Sequence, residues 1–323
     1  MSERQAYAGI DIGGTNIKSG LINRNGEILF KDQRPTLVSK GAEPLMHLVT
    51  NIAERLLYHA AEDDLEVNCL GVGTPGAVDN KTGKVIGLSP NIDGWQGMEI
   101  GHILSERLNI PVMVENDVNV MALAESRFGA GIGYGAVVCV ALGTGVGGGI
   151  VIDGKLWRGT NHTAGELGHI SICTNGPVCG CGNKGCIEAY CSSSAMVERA
   201  KQRLANNLTP IFEDVLDGST ENLNIKKIFA AARKGDTEAL AVVEETADYL
   251  AIGLTGIVNL LNPDIVLIGG GIADGGGGFV EAVSAGVRKR AFGTATENLR
   301  VARATLGNDA GFIGAGILCE AAG

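Results

Sequence analysis

The chain has 323 residues and a formal net charge of −10, with 45% hydrophobic residues, 4% aromatics and 49 glycines. That length exceeds what one hydrophobic core usually serves, so two domains are expected, and the glycine content suits an α/β protein with many tight turns. The acidic balance, with no Lys/Arg cluster, works against nonspecific nucleic-acid binding, and no nucleic-acid partner is expected; the lack of a secretory leader or a spanning apolar run predicts a soluble, cytoplasmic protein without membrane contact.

Residues 7–12 read as a buried strand that breaks at Gly13, Gly14, Thr15 and Asn16 and resumes over 17–22, a β-hairpin with a tight turn. A second copy follows: a strand over 137–142, a turn of Gly143, Thr144, Gly145, Val146, Gly147 and Gly148, then a strand over 149–152. Two such units predict a duplicated domain whose halves face each other. Glycine turns expose backbone N–H groups that cradle phosphate oxygens, and Thr15 or Thr144 adds a hydroxyl. Either turn alone reads more readily as a plain hairpin; neither is a Walker A loop. Asp11, ending the first strand, is placed to hold a hydrated magnesium ion, since that hard cation prefers carboxylate and water.

Apolar residues at helical spacing predict a helix over 44–60, and a buried strand follows over 67–72. The polar stretch 89–95 reads as a loop. Its Asn91 either binds a hydroxyl or belongs to a surface loop anchored by Trp95. A strand over 112–114 leads into Glu115, Asn116 and Asp117, and polar groups at the carboxyl end of a parallel strand project into the ligand crevice of α/β folds. Asp117 is the expected general base and Asn116 the residue that orients the acceptor. The competing reading is that both merely cap a helix beginning near Asn119.

One histidine and three cysteines then crowd together: His169, Cys179, Cys181 and Cys186. Three thiolates and an imidazole make a closed tetrahedral set for structural zinc, and Gly182 and Gly185 let the loop fold back. Clustered free thiols, or one disulfide with a thiol left over, is the competing reading; C-x-C-x4-C beside a histidine argues against it. Glu166 and Glu188 bracket the knuckle. Carboxylates pinned there suit the hydroxyls of a sugar.

Helices are expected over 192–206, 225–234 and 236–261, the last with Leu240, Val243, Ala247, Leu250, Leu254 and Ile257 along one face. Asn262-Pro263 ends it. A buried strand over 264–268 runs into Gly269, Gly270 and Gly271, where a purine or ribose can lie close to the backbone. A small-residue helix over 306–319 closes the chain.

Taken together, Asp11-Ile12-Gly13-Gly14-Thr15-Asn16-Ile17-Lys18, Glu115-Asn116-Asp117 and the stretches 142–149, 165–169 and 179–188 resemble the ROK family of sugar kinases, and within it the bacterial glucokinases. The resemblance implies an actin-like ATPase (ribonuclease H-like) duplicated α/β fold, with two domains around a hinged cleft and a zinc knuckle. A smaller domain would span 1–118, completed by the helix 306–323, and a larger one 119–305; homodimers or homotetramers are expected. It further implies Asp117 as base, and Asn116, Glu166, His169 and Glu188 as sugar contacts. His169 would use one ring nitrogen on zinc and the other toward a hydroxyl. The implied reaction is magnesium- and ATP-dependent phosphorylation of a hexose, glucose at its 6-hydroxyl first. An N-acetylmannosamine, N-acetylglucosamine or fructose kinase would use the same loops. The family's transcriptional repressors carry a helix-turn-helix, for which the segment before Asp11 leaves no room.

Overall fold

The computed structural model describes residues 4–36, 40–87, 89, 92–216, 220–276 and 278–322. Strands β1 (Tyr7–Ile12), β2 (Asn16–Ile22) and β3 (Ile28–Pro35) form an antiparallel meander. Helix α1 (Ala42–Glu62) buries Leu45, Val49, Ile52 and Leu56, the stripe expected of a helix laid on a sheet. Next come β4 (Leu70–Thr74), the short pair β5 (Val78–Asp79) and β6 (Lys84–Val85), α2 (Ile100–Leu108), β7 (Val112–Asn116) and α3 (Asp117–Phe128). After them run β8 (Ala136–Leu142), β9 (Val146–Ile152), β10 (Lys155–Leu156), α4 (Glu188–Cys191), α5 (Ser193–Asn206), α6 (Pro210–Leu216), α7 (Ile225–Arg233) and α8 (Thr237–Leu261). The chain ends with β11 (Ile265–Gly269), α9 (Phe279–Arg290), α10 (Gly293–Thr296), β12 (Arg300–Arg303) and α11 (Ala310–Ile317).

Two five-stranded sheets result, ordered β3-β2-β1-β4-β7 and β10-β9-β8-β11-β12. Each has the same plan: a hairpin whose first strand is central, a third strand beside it, and two later strands added in parallel on the other side. Parallel strands must be reached through crossovers, and the helices between them supply these. β4 and β11 are buried throughout, as strands covered on both faces must be.

The chain divides into two compact units. One contains Met1–Gly133, Gly149–Gly165 and Leu306–Gly323; the other contains Tyr134–Gly148 and Glu166–Thr305. The division thus falls after α3 rather than at the expected 118/119, because α3 packs on α11. In the first unit α11 is buried on every side. Its glycines explain how it fits: a Cβ on Gly314 would stand 1.8 Å from the Val120 carbonyl oxygen, and one on Gly71 of β4 1.7 Å from that of Ala315. Backbones therefore touch where any side chain would intrude.

Several boundaries differ from the sequence reading. The strand expected over 67–72 is β4, starting at Leu70, and the helix expected near Asn119 starts at Asp117. Val146, Gly147 and Gly148 belong to β9, so the second glycine turn is only Gly143, Thr144 and Gly145. Along α8, Leu240 is 38% exposed whereas Val243, Ala247, Leu250, Leu254 and Ile257 are buried. The closing helix is shorter than expected, with 3-10 turns on either side of α11. Asn91 lies outside the described residues, but its neighbour Trp95 is fully buried and donates from Nε1 to Thr74 Oγ1 at 2.8 Å. A disulfide joins Cys69, just before β4, to Cys319, with Cα atoms 6.0 Å apart.

Candidate active site

In the first unit β1, β4 and β7 lie side by side, so their carboxyl ends gather Asp11, Gly73 and Asn116. Gly73 has a specific consequence: a Cβ there would stand 3.5 Å from Asp11 Oδ1 and 3.7 Å from the Asp117 Cα. The atom nearest to that Cβ would be Val120 Cγ2, at 2.8 Å, so the Val120 side chain, Asp11 and the start of α3 all crowd the bare backbone of Gly73. Burial pushes the Asp11 carboxyl up to about 6, against a smaller opposing pull from Lys18. The turn after β1 is closed by Gly13 N–H donating to Asn16 O at 3.1 Å. Thr36 steadies it, with Oγ1 on Gly13 O at 2.6 Å and N–H on Thr15 O at 3.0 Å. Gly14 and Thr15 are exposed, and Lys18 donates to Asn308 Oδ1 at 3.4 Å.

Asp117 is the first residue of α3. Asn116 is its cap, accepting at Oδ1 from the N–H groups of Val118 and Asn119 while Nδ2 donates to Gly76 O at 3.2 Å. The capping role weighed from sequence is therefore filled by Asn116. Asp117 Oδ1 accepts from Val118 N–H at 2.9 Å.

In the second unit the metal-ligand candidates converge: the donor atoms of His169, Cys179, Cys181 and Cys186 all lie within 4.8 Å of one another. Sulfurs about 2.3 Å from a tetrahedral zinc stand about 3.8 Å apart. Cys181 Sγ and Cys186 Sγ are 3.7 Å apart, and so are Cys179 Sγ and His169 Nδ1. The donor set and its spacing fit zinc. The other ring nitrogen, Nε2, faces Glu166 Oε2 at 3.8 Å. Burial raises the Cys179 thiol to about 12 and also raises Cys186, while the backbone N–H of Asn183 lowers exposed Cys181. Metal binding must displace these protons, so it is favoured by rising pH.

Glu188 connects the knuckle to the second glycine turn. It accepts from Cys179 Sγ at Oε1 (3.4 Å) and from Val146 N–H at Oε2 (3.0 Å). Burial raises the Glu166 carboxyl, His169 opposes that rise and the Glu188 charge adds to it. The turn itself is closed by Gly143 N–H on Gly145 O at 2.9 Å and anchored by Ser193 N–H on Gly143 O at 2.8 Å. Thr144 is exposed at its tip, and Gly147 sits in β9 behind it. Gly270, with φ +89, backs onto Leu142, since a Cβ there would meet that carbonyl oxygen at 2.3 Å. Gly269 ends β11 and Gly271 is exposed just beyond, so this glycine run stands beside the base of the turn. Sequence reasoning missed Arg158, which pairs with buried Glu115 at 2.5 Å. No motif signals it, because the partners are far apart in the chain.

Two sheets of one repeated order, each with a glycine hairpin turn, are the architecture of an actin-like α/β sugar kinase. The ROK family model matches residues 7–322, and the chain belongs to that family. It is 38% identical to a glucokinase from Thermotoga maritima over 83% of this chain and 82% of that one. It is 36% identical to a glucokinase from Streptomyces coelicolor over 97% and 96%. A crystal structure of a ROK family glucokinase from Streptomyces griseus, in complex with glucose and AMPPNP, superposes with a TM-score of 0.84 at 37% identity, covering 97% of this chain and 98% of that one.

Proposed function

We propose that this protein is an ATP-dependent hexokinase that transfers the γ-phosphoryl group to the 6-hydroxyl of glucose. The observation carrying this reading is Asp117 just past the carboxyl end of β7, with its Cα 3.7 Å and Asp11 Oδ1 3.5 Å from where a Cβ on Gly73 would stand. Glucokinase relatives similar over nearly the whole chain support glucose as acceptor. In the reaction, the 6-hydroxyl oxygen attacks the γ-phosphorus while Asp117 Oδ takes its proton; the bond to the β,γ-bridging oxygen breaks and ADP leaves. Asp11 is suited to hold a hydrated magnesium ion, which supplies charge neutralisation of the triphosphate. The amides of the turns at 13–16 and 143–145 cradle the phosphates, and the run 269–271 receives the adenosine. Asn91, Asn116, Glu166, His169 and Glu188 contact the sugar. Zinc held by His169, Cys179, Cys181 and Cys186 supplies rigidity to the loop carrying those acidic residues and takes no part in proton transfer.

The acceptor is tested by comparing kcat/KM for glucose, mannose, fructose, N-acetylglucosamine and N-acetylmannosamine. Glucose is expected to lead. An N-acetylated sugar in first place would keep the phosphoryl-transfer chemistry and replace the acceptor.

A further inference from the structure

Glu115 is 2% exposed and has no part in the chemistry above. A buried carboxylate needs a partner, and this one uses both oxygens. Oε1 accepts from the backbone N–H of Asn116 at 3.0 Å and from Nδ2 of Asn119 at 3.0 Å. Oε2 accepts from Arg158 Nε at 2.5 Å. The two Oε1 bonds grip the residue before Asp117 and the residue two after it, so they span the strand-to-helix step on which Asp117 stands.

Arg158 follows β10 and belongs to the same unit. Its segment is held in two places: Ala164 N–H donates to Arg158 O at 3.0 Å, and His162 Nε2 stands 3.7 Å from Asp79 Oδ1. We infer that the Arg158–Glu115 pair positions Asp117, fixing the Asn116-Asp117 step and cancelling the Glu115 charge beside the base. The inference rests on the reading of Asp117 as general base.

A pair that only stabilised the fold would change unfolding temperature without changing the titration of the base. A positioning pair changes both kcat and its pH dependence. Misplacement of a reacting group by about 1 Å costs roughly 100-fold in rate. The test uses the full-length chain with ATP, magnesium and glucose, and compares E115Q, R158M, R158K, the double variant E115Q/R158M and D117N, with thermal unfolding recorded for each.

Both E115Q and R158M are expected to lose roughly 100-fold in kcat with little change in KM for glucose. Their acid limbs should move in opposite directions. E115Q leaves the Arg158 cation uncancelled, which favours ionised Asp117 and shifts the limb to lower pH; R158M leaves the Glu115 anion, which shifts it to higher pH. In the double variant the limb returns to the wild-type position, and kcat falls no further than in the singles. R158K keeps the charge and loses the guanidinium geometry, so it lowers kcat with a wild-type limb, and it serves if E115Q fails to fold. Folded E115Q, R158M and R158K with wild-type kcat and limb would overturn the inference while an inactive D117N left the base in place. Full turnover in D117N would instead remove the base reading, and this inference with it.

Discussion

Replacing Asp117 by asparagine is expected to lower kcat for glucose phosphorylation about 1,000-fold and to leave glucose affinity nearly unchanged. Asparagine keeps the size of the side chain and an oxygen able to accept from Val118 N–H, the 2.9 Å bond seen for Asp117 Oδ1. The start of α3 is capped independently by Asn116, so the helix should form normally. What disappears is the capacity to take a proton. Steady-state kinetics, combined with glucose titration followed calorimetrically, separates the two effects. Near-normal turnover in a folded variant would remove Asp117 from the mechanism; a loss of affinity equal to the loss of kcat would make it a binding residue instead.

The second large effect is expected at the knuckle. Cys186→Ser should take bound zinc from about one per chain to near zero, lower the unfolding temperature by roughly 10 °C and raise KM for glucose. Cys186 is fully buried, with its sulfur 3.7 Å from that of Cys181. The loop's backbone ties include Ile172 N–H on Gly185 O at 2.8 Å, Cys179 N–H on Asn183 O at 2.8 Å and Gly185 N–H on Pro177 O at 2.9 Å. Val178, beside Cys179, is 68% exposed and adds little packing at that end of the loop. Because Glu188 touches both Cys179 and Val146, loosening the knuckle should reach the 143–145 turn as well, raising KM for ATP. Elemental analysis, thermal unfolding and kinetics check this together. A metal-free Cys186→Ser protein with wild-type stability and KM would mean that the cluster carries no structural zinc.

What the sequence made legible was local in the chain. The ligand candidates His169 to Cys186 span a short stretch, so side-chain type and spacing alone were enough to place them together. The hairpins were legible because a glycine turn between two apolar runs has few alternatives. Periodicity located α8 but assigned Leu240 to its buried face, whereas Ala239, Val242 and Val243 are buried and Leu240 points to the exposed flank. The second glycine turn was read too long because glycine occurs in strands as well as in turns: Gly147 and Gly148 lie in β9.

What stayed hidden was non-local. Cys69 and Cys319 are separated by 250 residues and meet only because α11 returns to the first unit. Arg158 and Glu115 are 43 residues apart, and although Glu115 opens the Glu115-Asn116-Asp117 motif, nothing in the sequence marks Arg158 as its partner. The nearness of Asp11 to Asp117 depends on β4 lying between β1 and β7, a strand order that periodicity does not report.

The most direct test of the account is the fate of the γ-phosphoryl group. Purified protein is given ATP, magnesium and glucose, and the products are followed by phosphorus NMR alongside ADP release. One glucose 6-phosphate is expected for each ADP, with little ADP formed when sugar is withheld. ADP formed at the same rate without sugar, or glucose recovered unphosphorylated, would contradict it.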